Sequence, residues 1–447
     1  MDYPSLMTVS DSSPTIQPVT AAFTQAKKTL GLAIGIWILA GVVSLFIPLV
    51  ADEMYYVEWS KRLDLGYFDH PPMVAYLIWL SGHHPRLAAW LISTCSLALL
   101  TKTSRDLGTR HWYYTPLLFV STPLGLSAGL FMTPDIPLLL GWTLVIHGLL
   151  CKKHRANCFG IGVGLGIGLL SKPTALLMLP AIAIRFGWTQ SLKICITALI
   201  LCTPFLHWSA THQWLPFSFQ GSRTFELDYD SLGSMLEAIG AQMLLVGPLL
   251  CWSIWQLLVK RRSQGELVIR WMCLPILCVG AAVSMGMHLE ANWLMMLWVP
   301  MVIFAPKLAE DVPRIVKISQ RAYGICTLLV LILLPITLNQ LPAWIGPDRD
   351  GPALEQCLRQ RFPTARILAV RYQEIALLSE ASSPPYLLVT QTQRRSQYNL
   401  WQERVLTTAT PGDVILNLEG QCPGNEMAYH RCAISAFECL PLSMQSF

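Results

Sequence analysis

Apolar residues run together along most of this chain, at 30–50, 73–101, 112–132, 136–150, 156–171, 174–187, 194–210, 235–259, 267–287, 292–306 and 322–341. A run such as 30–50 crosses a bilayer core of roughly 30 Å at about 1.5 Å per helical residue. The pattern therefore predicts an all-α polytopic membrane protein with about 11 transmembrane helices. The doubtful stretch is 156–187, which Lys172-Pro173 interrupts. Proline breaks a helix and lysine is costly in lipid, so two short passes flanking a wet break are expected there. Ahead of the first run, residues 1–28 read as a disordered cytoplasmic tail, rich at first in Ser, Thr and Pro, with no cleavable leader. The first span is then its own insertion signal.

Beyond 342 the pattern changes. Charges rise, and short apolar segments at 365–370, 385–390 and 413–418 read as buried strands around a helical run at 372–379. A membrane domain over 29–342 and a small α/β domain over 343–447 follow.

Composition agrees: 53% of residues are hydrophobic and 13% charged, against about 25% charged in soluble domains. The net charge of +5 does not indicate nucleic-acid binding, because the cations lie in short clusters between apolar runs. These are Lys27-Lys28, Lys102 with Arg105 and Arg110, Lys152-Lys153 with Arg155, Arg185 with Lys193, Lys260-Arg261-Arg262, and Lys307 with Arg314, Lys317 and Arg321. An eleven-span path puts every cluster on one face, which the positive-inside rule makes cytoplasmic. The N-terminus is then inside and the C-terminus outside. Cys357, Cys422, Cys432 and Cys439 of the tail would meet an oxidising compartment and can form one or two disulfides. The other cysteines lie mainly in apolar runs, as small hydrophobes.

The same path gathers the unusual polar residues on the outer face: the first outer loop 51–72, Thr133-Pro134-Asp135-Ile136-Pro137, Lys172, the loop 207–230, and His288 to Trp293. The first loop is the richest, with Asp52, Glu53, Glu58, Asp64 and Asp69 beside His70 and several aromatic rings. Tyr55, Tyr56 and Trp59, with Leu63 a turn on, form a helical stripe suited to the headgroup layer.

These residues resemble a known family. Asp52-Glu53 followed by Tyr55-Tyr56 and Trp59, then Gly66-Tyr67-Phe68-Asp69-His70-Pro71-Pro72, Thr133-Pro134-Asp135, Ser171-Lys172-Pro173-Thr174, Phe217 to Arg223, and Arg395 to Trp401 are similar to the bacterial family 39 glycosyltransferases. Those enzymes stand with protein O-mannosyltransferases and lipid A aminoarabinose transferases in the C-type glycosyltransferase superfamily. The resemblance covers roughly residues 30 to 401. It implies a C-type glycosyltransferase fold, a polyprenyl-phosphate-linked hexose or pentose donor, and transfer, inverting at the sugar, at the outer face of a bacterial inner membrane. The acceptor would be a lipid, glycan or protein of the envelope.

By that resemblance Asp52 is the leading catalytic carboxylate, Glu53 its neighbour and Asp135 the second acid. Lys172, Arg223, Gln220, His70, Tyr56, Trp59, Asn292 and Tyr398 are the substrate-binding candidates. A guanidinium pairs bidentately with phosphate, which makes Arg223 the first choice of clamp. If the acceptor is a hydroxyl, Asp52 takes its proton; if it is a phosphate, no base is needed and Asp52 positions or polarises. Both remain open, and each residue has a structural alternative. Asp52 and Glu53 can be solvated caps at the interface, Asp135 an N-cap, Lys172 a snorkelling lysine and Arg223 a salt-bridge partner. His70 stands where aminoarabinose transferases carry a lysine. The histidines show no metal-ligand spacing, and the resemblance implies no required metal or other cofactor, with a divalent metal ion near Asp52 and Asp135 as the less favoured alternative. Rival classes are an oligosaccharide ligase or polymerase, which would lack the first-loop Asp-Glu, and a multi-span transporter, for which no inverted repeat is present.

Overall fold

In lipid the backbone must satisfy its own hydrogen bonds, so apolar runs become helices. The computed structural model describes residues 17–150, 157–224, 231–259, 264–284, 291–308 and 312–338. In the tail it describes 359–360, 362–364, 367–369, 372–379, 387–388, 396–401, 414–416, 430–435 and 438–441. The helices in chain order are α1 (Gln17–Ser44), α2 (Ala51–Lys61), α3 (Met73–Leu80), α4 (Pro85–Asp106), α5 (Tyr114–Val120), α6 (Pro123–Leu130), α7 (Asp135–Leu150) and α8 (Cys158–Leu169). There follow α9 (Leu179–Thr211), α10 (Leu215–Thr224), α11 (Ser231–Val246), α12 (Pro248–Val259), α13 (Gln264–Ser284), α14 (Met295–Phe304) and α15 (Arg314–Leu338), with α16 (Tyr372–Ser379) and α17 (Gln397–Trp401) in the tail.

Five helical stretches among the described residues are long and apolar enough to cross a membrane: Phe23–Ser44, Pro85–Asp106, Pro173–Thr211, Gly265–Ser284 and Arg314–Ile336. Two bent pairs, Pro123–Leu130 with Asp135–Leu150 and Met235–Val246 with Pro248–Val259, would raise this to seven. This is a multi-pass membrane protein whose helices are more broken than the apolar pattern suggests. The run 73–101 is divided by Gly82 and His83, both at positive φ, so α3 is a short helix of its own and only α4 has spanning length. Pro123 ends the helix of 112–132 at Ser121, and Thr122 caps the next one by accepting from the Gly125 amide at 3.0 Å. Gly187 (φ 70) divides α9, and Gly247 (φ 80) bends α11 against α12 by 115°. At the N-terminus, helix runs from Gln17 onward, so the latter part of the segment expected to be disordered is helical. The break at Lys172-Pro173 is where the sequence places it: Lys172 is extended (φ −149, ψ 143) and Pro173 opens a 3-10 turn.

Glycines set the tightest packing. On α8, Gly164 and Gly168 meet Gly141 of α7 so closely that a Cβ on Gly141 would lie 2.6 Å from the Gly164 carbonyl oxygen. On the other side of α8, a Cβ on Gly162 would lie 2.5 Å from Thr197 of α9. Small residues let backbones in lipid approach this way. One hydrophobic core runs from Trp37 of α1 through Leu139 and Trp142 of α7 to Met301 of α14, and takes in Tyr372, Ile375 and Leu378 of α16.

The tail holds a five-stranded sheet of β1 (Ile367–Ala369), β2 (Leu387–Leu388), β3 (Val414–Leu416), β4 (His430–Ser435) and β5 (Glu438–Pro441), in the order β2-β1-β3-β4-β5. The first three pairings are parallel, with Leu368 opposite both Leu387 and Ile415, and β5 closes antiparallel on β4. The three segments read from sequence supply β1, β2 and β3, with α16 between the first two. Cys432 lies on β4 and Cys439 on β5. Cys357 and Cys422 lie outside the described residues, as do the side chains of the other two, and so does the expected disulfide pairing.

Candidate active site

Helix α2 begins at Ala51, directly after the extended residue Val50, and its first turn carries Asp52 and Glu53. Adjacent residues on a helix point about 100° apart, and these two have opposite fates. Glu53 turns inward and is fully buried. Its Oε2 accepts from the Val50 amide at 3.2 Å, reaching back across the helix start as a residue at N3 can. The same oxygen pairs with Arg86 Nη2 at 2.7 Å, and Oε1 accepts from the Met132 amide at 2.8 Å. Arg86 also donates to the carbonyls of Leu130 and Pro48 and lies over the Phe131 ring. Burial pushes the Glu53 carboxyl up to about 7, against the opposing pull of Arg86 and the two amides. The pair locks together the end of α1, the start of α2, the start of α4 and the loop before α7.

Asp52 turns outward and is exposed. Its Oδ1 accepts a hydrogen bond from the hydroxyl of Tyr372, at the start of α16, at 2.7 Å. One turn along α2 the buried Tyr56 has its phenol pushed well above the usual range, first by burial and then by the charges of Asp52, Asp69 and Asp135.

Asp135 is the first residue of α7 and is 4% exposed. The Thr133 hydroxyl accepts from the Asp135 amide at 3.3 Å, and Asp135 is the first helical residue and not the N-cap. The Asp135 side chain is thus freed from capping. Both its oxygens lie 2.8 Å from Lys172 Nζ, and Oδ2 also accepts from Asn292 Nδ2 at 2.8 Å. Lys172 can be there because α8 has ended and its residue is extended, and Asn292 because it sits in the 3-10 turn Ala291–Leu294 ahead of α14. The Met73 amide donates to the Leu170 carbonyl at 3.0 Å, fastening the end of the first loop to the same break.

The rest of the loop is held from the tail. Tyr55 donates to Asp69 Oδ2 at 2.6 Å and accepts from the Gln397 amide at 2.6 Å, while Gln397 Oε1 accepts from the Phe68 amide at 2.7 Å. Gln220 of α10 donates to the Asp69 carbonyl at 2.7 Å.

Several expectations change in this light. The stripe of Tyr55, Tyr56 and Trp59 does not lie in the headgroup layer: all three are buried between the first loop and the tail. Trp59 is stacked on Tyr67 with ring centroids 4.3 Å apart and is 0% exposed, so it supports the loop from within and presents no face to a substrate. Tyr398, at 3% exposure, packs its ring against Tyr55 and Trp401 and is a support of the same kind. His70 is half-buried, with its ring edge-on to Tyr56. Arg223 belongs to α10, but its side chain lies outside the described residues. Sequence reasoning missed Arg86, Asp69, Tyr372 and Gln397 as parts of the site. Asp69 and Gln397 stand inside motifs already singled out; nothing local marks Arg86 or Tyr372. Among the described residues no group of three or more His, Cys, Asp or Glu side chains is arranged to hold a metal ion.

The site offers an exposed carboxylate, held by a phenol, and a half-buried ammonium, held by a second carboxylate to which an amide also donates. Such a pair can accept a proton at one point and balance an anion at another.

Residues 69–208 match the family model described as dolichyl-phosphate-mannose-protein mannosyltransferase. The chain is 26% identical over 305 residues to the lipid A galacturonosyltransferase RgtD of Rhizobium johnstonii, a match covering 62% of this chain and 64% of that protein. It thus spans somewhat under two thirds of the relative's length. Among solved structures, ArnT from Cupriavidus metallidurans bound to undecaprenyl phosphate superposes with a TM-score of 0.60, at 14% identity, over 83% of this chain and 86% of that one. The fold is that of the C-type glycosyltransferases, and the resemblance to family 39 read from the loops is borne out.

Proposed function

We propose that this chain is a membrane glycosyltransferase that moves a sugar from a polyprenyl-phosphate-linked donor to an envelope lipid, glycan or protein acceptor at the outer face of a bacterial inner membrane. The observation that carries this is that the first loop, which bears the exposed Asp52, is tied through Glu53 to the Met132 amide at 2.8 Å and through the Met73 amide to the Leu170 carbonyl at 3.0 Å, beside the Asp135–Lys172–Asn292 cluster. The relatives support the same substrate classes, since RgtD is a lipid A galacturonosyltransferase and the ArnT structure holds undecaprenyl phosphate.

In this reading Asp52 faces the acceptor. Where that is a hydroxyl, Asp52 takes its proton as the new glycosidic bond forms, and the bond from the sugar to phosphate breaks with its electrons going to the phosphate. One displacement inverts the sugar carbon. Lys172, held by Asp135, whose carboxylate Asn292 fixes in turn, balances the departing phosphate, with Arg223 as its partner. Glu53, occupied by Arg86, is a positioning residue and not a catalytic one. Where the acceptor is itself a phosphate, Asp52 orients it without taking a proton.

The membrane domain 29–342 then bears the chemistry and the tail 343–447 closes over it from outside, with the N-terminus inside. Contacts at the far end of the helices support this orientation: Arg185 donates to the Leu149 carbonyl at 2.8 Å, and Thr103 meets His147 at 2.9 Å. Asp135 and Leu149 are at opposite ends of α7, so the cationic loops and the carboxylate cluster are separated by the helix length.

The test is transfer by purified protein in nanodiscs from undecaprenyl-phosphate-linked sugars, alongside mass spectrometry of envelope lipids, polysaccharide and proteins from cells with and without the gene. Asp52→Asn keeps the shape and removes the charge, so transfer should fall by about 10² to 10⁴ while membrane insertion is unchanged. Wild-type turnover by this variant refutes the role of Asp52, and an unchanged envelope refutes the function.

A further inference from the structure

The tail reaches the first outer loop at both of its ends. At one end the hydroxyl of Tyr372 is 2.7 Å from Asp52 Oδ1. At the other, Gln397 accepts from the Phe68 amide and donates its own amide to Tyr55, which in turn holds Asp69. The two points are joined by ring contact, since Tyr372 lies 4.6 Å from Tyr55, centroid to centroid. Tyr372 is 5% exposed, and α16 behind it contributes Ile375 and Leu378 to the same core as the membrane helices. Its hydroxyl is therefore fixed by packing on both sides.

Asp52 has no such support of its own. It is an exposed aspartate in the first turn of α2, and its neighbour Glu53 takes the buried partners. Free in water, a short carboxylate samples several rotamers. A phenol donating to one oxygen selects one rotamer through a charge-assisted hydrogen bond and leaves the second oxygen for the acceptor. Resting on the glycosyltransferase reading above, we propose that Tyr372 is a positioning residue for Asp52, and that the C-terminal domain thereby completes the active site.

The experiment uses four full-length proteins in nanodiscs: wild type, Tyr372→Phe, Asp52→Ala and the double variant. Tyr372→Phe keeps the ring against Tyr55 and removes only the hydroxyl. Each protein is assayed for transfer from undecaprenyl-phosphate galacturonic acid to lipid A, and each is melted. Losing a hydrogen bond to a charged group should lower kcat about tenfold, with KM for the donor within about twofold. In the Asp52→Ala background the same change should cost nothing further. The melting shift of Tyr372→Phe should likewise vanish when Asp52 is already alanine. Wild-type kcat in Tyr372→Phe overturns the proposal, as does an equal loss in the Asp52→Ala background, since the hydroxyl would then serve the fold at large. If the wild type transfers no sugar from a panel of undecaprenyl-phosphate-linked hexoses and pentoses to envelope lipid, glycan or protein, the glycosyltransferase reading fails instead. The melting cycle then judges the contact alone, and additive shifts refute it.

Discussion

Arg86→Met removes the cation from the most deeply buried ion pair among the described residues. Glu53 is 0% exposed and would keep only the Val50 and Met132 amides, while the carbonyls of Pro48 and Leu130 would lose their donor. Breaking a buried pair at one partner costs about 3 to 5 kcal/mol, most of it from the charge left behind. That cost depends on pH with a definite sign. Burial already raises the folded Glu53 carboxyl from 4.5 to about 7 with Arg86 in place, and without the guanidinium it rises further. A carboxyl whose folded value lies above its unfolded value binds the extra proton in the fold, so stability falls as pH rises through that window. The Glu53 contribution should therefore decline between 4.5 and about 7 in the wild type and then level off, whereas in Arg86→Met the decline continues to higher pH. Thermal unfolding of both proteins in nanodiscs at about pH 6 and about pH 8.5 measures this, with the larger deficit expected at the higher pH. Adding Glu53→Gln to Arg86→Met removes the titrating group and should flatten the difference. A deficit equal at both pH values, or none, would refute the buried-charge argument.

Two further outcomes are expected. Gly141→Ala places a Cβ 2.6 Å from the Gly164 carbonyl oxygen and 2.7 Å from the Gly168 nitrogen. The backbones of α7 and α8 must then part, at about 1 to 3 kcal/mol, and because α7 carries Asp135 and α8 leads into Lys172, the melting temperature and sugar transfer should drop together. Unchanged melting would show that the two helices do not meet at these glycines. A reporter fused after Phe447 should register outside the cytoplasm and one after Arg262 inside, as an eleven-span path requires; a cytoplasmic signal at Phe447 would separate the tail from the face assigned to it and remove the basis for pairing Asp52 with Tyr372.

The membrane class, the side-by-side gathering of polar loops and the family resemblance are all legible in the residues themselves, for reasons that are local. An apolar run in lipid has helix as its one good option, charge clusters act through their position between runs, and motifs such as Asp52-Glu53 or Thr133-Pro134-Asp135 are contiguous. Strands β1, β2 and β3 of the tail also follow from short apolar segments read alone, whereas β4 and β5 do not. What sequence left open is the partner of each group. Asp52 and Glu53 differ by one step on α2, and helical geometry separates their directions, but only the packing of α4 and the loop before α7 decides that Glu53 is the one turned in. Asp135 is a good cap on paper, yet it is the first residue inside α7, and Lys172 and Asn292 claim its carboxylate. Trp59 has the composition of a membrane anchor and the burial of a core residue, because the tail covers α2. Breaks at Gly187 and Gly247 escape an apolar average, since glycine costs little hydropathy while permitting a positive φ. Sequence thus determined which residues are chemically able to serve the site. The tertiary structure alone decided which are free to do so, because a carboxylate's availability depends on the neighbours that bury, pair or hold it, and these come from segments remote in the chain.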